Sequence, residues 1–126
     1  MKLGHIILKV SSQDAALAFY TSVIGLGVCE DVNLGSHRWL TLAEPEGGVK
    51  LLLEPASPPP AAQSQAALYQ NNFPALILTT EDIENDVAHL TSNGVRLLGP
   101  IADFPAGRTV FFDDGFGNIV NLTQPM

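Results

Sequence analysis

The strongest constraint on this chain is that it repeats itself. Laying His5 over Ala75 brings "HIILKVSSQDAALAFYTS" onto "ALILTTEDIENDVAHLTS" without a gap, and a unit that recurs in this way is a supersecondary element built twice. In the first copy "IILKV" is strand-like. Ser11 with Asp14 three residues on forms a capping pattern, and Ala16, Phe19, Tyr20 and Val23 make an apolar helical stripe that ends at Gly25. In the second copy "ALILT" is the strand. Thr80, Glu81 and Asp82 supply the cap and first-turn acids, and Ile83, Val87 and Leu90 form the stripe up to Gly94. Each helix precedes three strand candidates, about 26–34, 37–43 and 48–54, then about 95–102, 107–113 and 118–124. The expected fold is therefore α+β: two tandem βαβββ modules, about 1–55 and about 74–126, in one domain. The connector between them, about 55–73, opens with prolines that cannot join a central ladder and continues in an Ala/Gln-rich run suited to a short helix.

Strand parity sorts side chains between two sheet faces. Gly4, Ile6, Leu8 and Val10 share the side expected to carry the helix, which leaves Leu3, His5, Ile7 and Lys9 on the other. By the same rule Glu54, Ala75 and Asn121 join the face of His5, whereas Leu76, Leu78, Val120 and Leu122 look toward helices. His37, Trp39 and Thr41 alternate with Arg38, Leu40 and Leu42.

Composition excludes several classes. The formal charge is −7 with six Lys and Arg scattered singly, so a phosphate backbone is repelled and no nucleic-acid partner is expected. A cationic small molecule is electrostatically compatible. Cys29 is the one cysteine, which rules out an internal disulfide and a cysteine-rich metal site. No apolar run is long enough to span a membrane and "MKLGHIILKV" lacks the pattern of a secretory leader, so no membrane partner and a cytoplasmic location are expected. Phosphate-binding Gly-rich loops, nucleophile elbows and HExxH helices are absent from the sequence.

The duplicated module, with "HIILKVSSQDAALAFYTSVIGL" at the start and "FFDDGFGNIVNL" at the end, resembles the glyoxalase, bleomycin-resistance and extradiol-dioxygenase superfamily, the vicinal oxygen chelate family, over nearly the whole chain. The resemblance implies that the two modules form a cup-shaped curved sheet with helices outside, and that two copies associate. A homodimer also follows from the edge strands such modules leave. In the metal-dependent members a divalent ion is held by His or Glu on the first and last strands of each module. Carried over, those positions are His5, Glu54, Ala75 and Asn121. Alanine offers no donor and an amide oxygen is a poor substitute for a carboxylate, so no metal and no cofactor are expected.

The implied function is metal-independent binding of a small molecule, a drug or metabolite, in the cup. The ligand-binding candidates are His5, Trp39, Glu54, Phe104, Arg108 and Asn121. Trp39 is core or, as a cup favours, an aromatic wall. Phe104 stands in a loop that could form a lid, and Arg108 could meet an anion or solvent. The alternative is an enzyme of the superfamily, a lyase, isomerase or dioxygenase with an incomplete or intersubunit metal site, or a metal-free catalyst using His5 and Glu54 as acid and base.

Overall fold

A computed structural model describes residues 1–57 and 59–126. The chain divides into two compact units, Met1–Ala62 and Gln63–Met126.

In the first unit, β1 (His5–Val10) leads into α1 (Gln13–Ser22), then β2 (Gly27–Asn33), β3 (Arg38–Ala43) and β4 (Lys50–Pro55). The sheet order is β1-β4-β3-β2, with β1 parallel to β4 and the other pairs antiparallel. Leu8 and Val10 of β1, Leu40 and Leu42 of β3, and Leu51 and Leu53 of β4 are buried, as are Ala16 and Tyr20 of α1, which packs on β4. Each fully buried large apolar side chain contributes roughly 1.5–3 kcal/mol, and these residues fix which sheet face carries the helix. The N-cap of α1 is Ser12, whose hydroxyl accepts the Ala15 N–H at 3.2 Å, rather than Ser11. Adjacent serines are equivalent by sequence pattern, and the extended backbone at Ser12 selects between them.

The second unit receives α2 (Ala61–Gln70), whose first two residues precede it, and continues through β5 (Pro74–Thr79), α3 (Ile83–Ser92), β6 (Arg96–Leu97), β7 (Ala102–Phe104), β8 (Gly107–Asp113) and β9 (Ile119–Pro125). Its sheet order is β5-β9-β8-β6, with β7 also on β8 and β5 parallel to β9. Ile83 and Leu90 of α3, Val110 and Phe112 of β8, and Val120 and Leu122 of β9 are buried. The strand expected over 95–102 is broken into β6 and β7, because Gly99 and Pro100 interrupt it and proline has no N–H for a ladder.

Two local devices fix this unit. Gly107 has φ +152°, and a Cβ there would lie 2.1 Å from the Gln124 carbonyl oxygen, so only glycine lets β8 approach β9 at this point. The β8–β9 turn is organised by the buried Asp114, which accepts the backbone N–H groups of Phe116 at 2.7 Å and Asn118 at 3.1 Å. α2 is tied to the same turn. Gln65 donates to the Phe116 carbonyl at 3.0 Å, and the Tyr69 hydroxyl donates to Asp113.

Both units thus carry the strand-helix-three-strand module, with a mixed sheet and a helix on one face of it. Among the described residues, no helix is long and apolar enough to cross a membrane.

Candidate functional site

The face of the first sheet away from α1 carries the polar cluster of this unit. Its floor is Thr41 and Leu52, directly paired across β3 and β4 and both buried. Around them stand His5, Trp39, Glu30 and Lys50. The His5 imidazole meets the Trp39 indole edge to face, with ring centroids 5.3 Å apart and an interplanar angle of 72°. Glu30 accepts two hydrogen bonds, from the Thr41 hydroxyl at 3.1 Å and the Lys50 ammonium at 3.2 Å, and the Trp39 indole N–H also acts on its carboxylate. These interactions, Trp39 first, then Lys50 and Thr41, outweigh desolvation and hold the Glu30 carboxyl below the ordinary glutamate range.

Glu30 is the residue that sequence reasoning missed. Simple pairing of β2 with β3 from Gly27↔Ala43 and Val28↔Leu42 would place Cys29 opposite Thr41. A β-bulge between Val28 and Glu30 shifts the register so that Glu30 stands there instead. Nothing in "GVCEDVN" signals the bulge.

Glu54 does lie on the face of His5, as parity requires, but its partner is different. In the parallel β1–β4 ladder His5 stands against Lys50 and Lys9 against Glu54. Four residues at about 3.3 Å each separate those rungs by roughly 13 Å. Lys9 Nζ donates to Glu54 Oε2 at 2.7 Å and takes up the carboxylate that sequence reading paired with His5. Lys9 had the right parity to be noticed.

The ladder also corrects the repeat. Ile7 pairs with Leu52 just as Ile77 pairs with Asn121, and Lys9 pairs with Glu54 just as Thr79 pairs with Thr123. The mate of Asn121 is therefore Leu52, not Glu54.

In the second sheet, the face away from α3 carries Ile77, Phe111, Asn121 and Thr123 in register. Asn121 is buried and its amide is fully engaged. Nδ2 donates to the Thr109 hydroxyl and, more distantly, to the Val110 carbonyl at 3.4 Å, while Oδ1 accepts the Thr123 hydroxyl at 2.6 Å. A group that must donate on one side and accept on the other is an amide, not a carboxylate. Phe104 pairs with Gly107 at the β7–β8 hairpin and is exposed. Arg108 points the other way, sharing the helix side of β8 with Val110 and Phe112, where it pairs with Glu84 of α3 at 3.0 Å and with Asp103 at 3.5 Å. Arg38 plays the same part in the first unit, reaching Asp14 of α1 at 2.6 Å and Asp31 at 2.8 Å. The Arg38 bonds hold the Asp31 carboxyl below the ordinary aspartate range.

These positions do not fit a divalent ion. Ala75 has no donor, the Asn121 amide is spent within its own sheet, the repeat mate of Asn121 is the hydrocarbon Leu52, and Glu54 is held by Lys9. Among the described residues, no group of three or more His, Cys, Asp or Glu is gathered as a metal site.

Comparison with known proteins places this geometry. The model of the Glyoxalase/Bleomycin resistance protein/Dioxygenase superfamily matches residues 2–122. The uncharacterized protein YurT of Bacillus subtilis (strain 168) is 33% identical over 126 residues, spanning 98% of this chain and 99% of that protein. Among solved structures, UcmS2 superposes with a TM-score of 0.84 at 28% identity, covering 98% of this chain and 97% of its own. TnmS3, described as an antibiotic binding protein from Streptomyces sp. CB03234, superposes with a TM-score of 0.80 at 30% identity, covering 100% of this chain and 97% of its own.

Proposed function

From a chain that belongs to the Glyoxalase/Bleomycin resistance protein/Dioxygenase superfamily but has no convergent set of metal ligands at the family positions, we propose a metal-independent small-molecule-binding protein. The observation that carries this reading is the His5–Trp39 pair, an aromatic wall packed edge to face on a sheet face beside the Glu30–Lys50 ion pair. The likeness to TnmS3 supports it, since that protein is described as binding an antibiotic.

Of the sequence candidates, His5 and Trp39 are the ligand contacts in this proposal, with Phe104 a further apolar contact on its own sheet. Glu54, Arg108 and Asn121 serve the scaffold, each through the partners already named. The metal-free catalytic pair His5 and Glu54 gains no support, because the ladder holds them apart. The exposed His5 imidazole alone keeps acid–base chemistry as the second reading.

The protein is proposed to act as a homodimer without nucleic acid. β1 and β5 are edge strands of their sheets, and Ile6, Ile7 and Ile77 on them are exposed.

The test is native mass spectrometry of freshly purified protein for co-purifying small molecules, followed by titration of the recovered compound against the fluorescence of Trp39, the one tryptophan. Binding that quenches Trp39 and is lost in Trp39→Ala supports the proposal. Turnover of the compound that His5→Gln abolishes would establish the enzyme instead.

A further inference from the structure

The three helices are held in different ways. α1 buries Ala16 and Tyr20 and α3 buries Ile83 and Leu90, whereas α2 buries none of its ten residues. α2 is uncharged throughout, so nothing complements its dipole, and a free helix of this length is marginal in water. What ties it down is polar. The Gln65 amide donates to the Phe116 carbonyl at 3.0 Å and to Asn118 Oδ1 at 3.2 Å, and it lies so close over Gly117 that a Cβ there would come within 2.7 Å of it. One turn on, the Tyr69 hydroxyl donates to Asp113. The turn that receives these bonds has its own support, since the buried Asp114 accepts the Phe116 and Asn118 N–H groups and, at 2.9 Å, the Asn118 amide.

Asp113 and Ile119 pair in register on the face of the second sheet that also carries Phe111 and Asn121. Exposure changes abruptly along that face. Ile119, at the end where Tyr69 reaches Asp113, is 2% exposed, while Ile77 and Phe111 are 63% and 37% exposed. We infer that α2 is a lid over this end: it lifts off the β8–β9 turn as a unit, with the sheet intact, and uncovers Asp113 and Ile119 as a continuation of the surface formed by Phe111 and Asn121. Gln65 and Tyr69 are its latch. The chain leaves α2 through Asn72, a left-handed residue at φ +58° between α2 and β5, where the movement pivots. Water replaces each latch bond on opening, so the lid lifts at low cost, whereas lifting α1 or α3 would expose buried hydrocarbon. The motion requires no ligand and is independent of the binding reading above.

Hydrogen exchange of the full chain, read by mass spectrometry on overlapping peptides, tests it. Corrected for their unstructured rates, wild-type amides of α2 should exchange at least about tenfold faster than those of α1 and α3, at rates that low concentrations of urea leave unchanged. Gln65→Ala substitutes the best helix former, and Tyr69→Phe removes only a hydroxyl. Each should speed α2 about fivefold to tenfold further and leave α3 and β9 as they were. Carbodiimide labelling of carboxyl groups then reads what is uncovered. The latch bonds of Gln65 go to Phe116 and Asn118, not to Asp113, whose side chain is 12% exposed. Labelling of Asp113 that is about fivefold faster in Gln65→Ala, with Asp114 still protected, would show α2 lifting in one piece.

Exchange of α2 as slow as that of α1 and α3 would overturn the inference. So would Asp113 labelling that Gln65→Ala leaves unchanged, or a β8–β9 turn that loosens together with α2. Tyr69→Phe carries the exchange test by itself if Gln65→Ala does not fold, and α2 exchange indifferent to the lost hydroxyl would then remove the latch.

Discussion

Replacing Asn121 with aspartate changes one NH2 into an oxygen and leaves the shape alone, which makes it the sharpest probe of the second sheet. Asn121 is 7% exposed. The Thr123 hydroxyl can still donate to the remaining oxygen, at 2.6 Å in the native protein. The new oxygen, however, faces the Val110 carbonyl, now 3.4 Å from Nδ2, and the hydroxyl of Thr109, which itself donates to the Leu122 carbonyl at 3.3 Å. Thr109 cannot serve both acceptors fully. Losing the buried donor costs about 1–3 kcal/mol, and desolvating the carboxylate adds to it, for a total of about 2–4 kcal/mol at neutral pH. The penalty has a definite pH signature. Burial and the facing carbonyl raise the folded-state pKa of the introduced carboxyl above its unfolded value of about 3.9. A raised group stabilises the fold fully below its unfolded pKa and loses that contribution as pH rises through the folded value. The deficit of Asn121→Asp against wild type should therefore narrow on acidification, by up to about 1.4 kcal/mol per pH unit between the two pKa values, because a protonated carboxyl again has an O–H to donate. Urea unfolding followed by circular dichroism at pH 7.5 and pH 5, both proteins side by side, measures it. A variant as stable as wild type at pH 7.5, or a deficit that ignores pH, would refute the account of Asn121 as an obligatory donor.

Other expectations are as direct. Gly107→Ala forces a Cβ to within 2.1 Å of the Gln124 carbonyl at φ +152° and should destabilise by at least about 2–3 kcal/mol in the same unfolding assay. The Tyr69 pKa is raised by its hydrogen bond to Asp113, so its stabilising contribution is complete below the ordinary tyrosine pKa and disappears as pH rises through the folded value; Tyr69→Phe should flatten the alkaline limb of the stability curve. Glu30 and Asp31 have lowered pKa values, so their contribution is present above the unfolded pKa and lost as pH falls through the folded one, and the double variant Glu30→Gln with Asp31→Asn should flatten the acid limb. Sedimentation should show a dimer at micromolar concentration, and monomer throughout would remove the homodimer. After dialysis against dilute chelator the wild type should retain far less than one equivalent of Zn, Mn, Ni or Fe. Ala75→His with Asn121→Glu should raise the uptake only modestly, because Leu52 still stands at the repeat mate of position 121.

What was legible in the sequence was whatever depends on period alone. Alternation placed Leu8 and Val10 under the helix and set Leu40 and Leu42 on one face of their strand, helical spacing put Tyr20, Ile83 and Leu90 on apolar stripes, and all of these are buried. The repeat gave the two modules. Partners were harder, because sliding a strand by two residues preserves every face and changes every neighbour. That is how Glu54 could be assigned to the right side of the sheet and yet lie against Lys9. Arg108 was left between an anion and solvent by its place beside a Phe/Pro/Gly loop, and the structure pairs it with Glu84 on the side of Val110 and Phe112. Glu30 depended on a bulge, which local sequence does not announce.

The corrected register gives the two copies of the module different solutions at one position. At this point β4 presents Leu52, buried beside Thr41, and β9 presents Asn121, buried beside Thr109 and Thr123. Neither copy leaves an uncommitted oxygen or nitrogen there: one is hydrocarbon and the other has both ends of its amide engaged. An ion needs ligands with lone pairs to spare, and a buried amide already satisfied within its own sheet would have to break about two hydrogen bonds, at a net 0.5–1.5 kcal/mol each, to supply one weak donor. His5 then has no ligand mate in its own sheet at the last-strand position. Its imidazole instead lies edge to face against the Trp39 indole, an aromatic arrangement that supports the proposed binding reading.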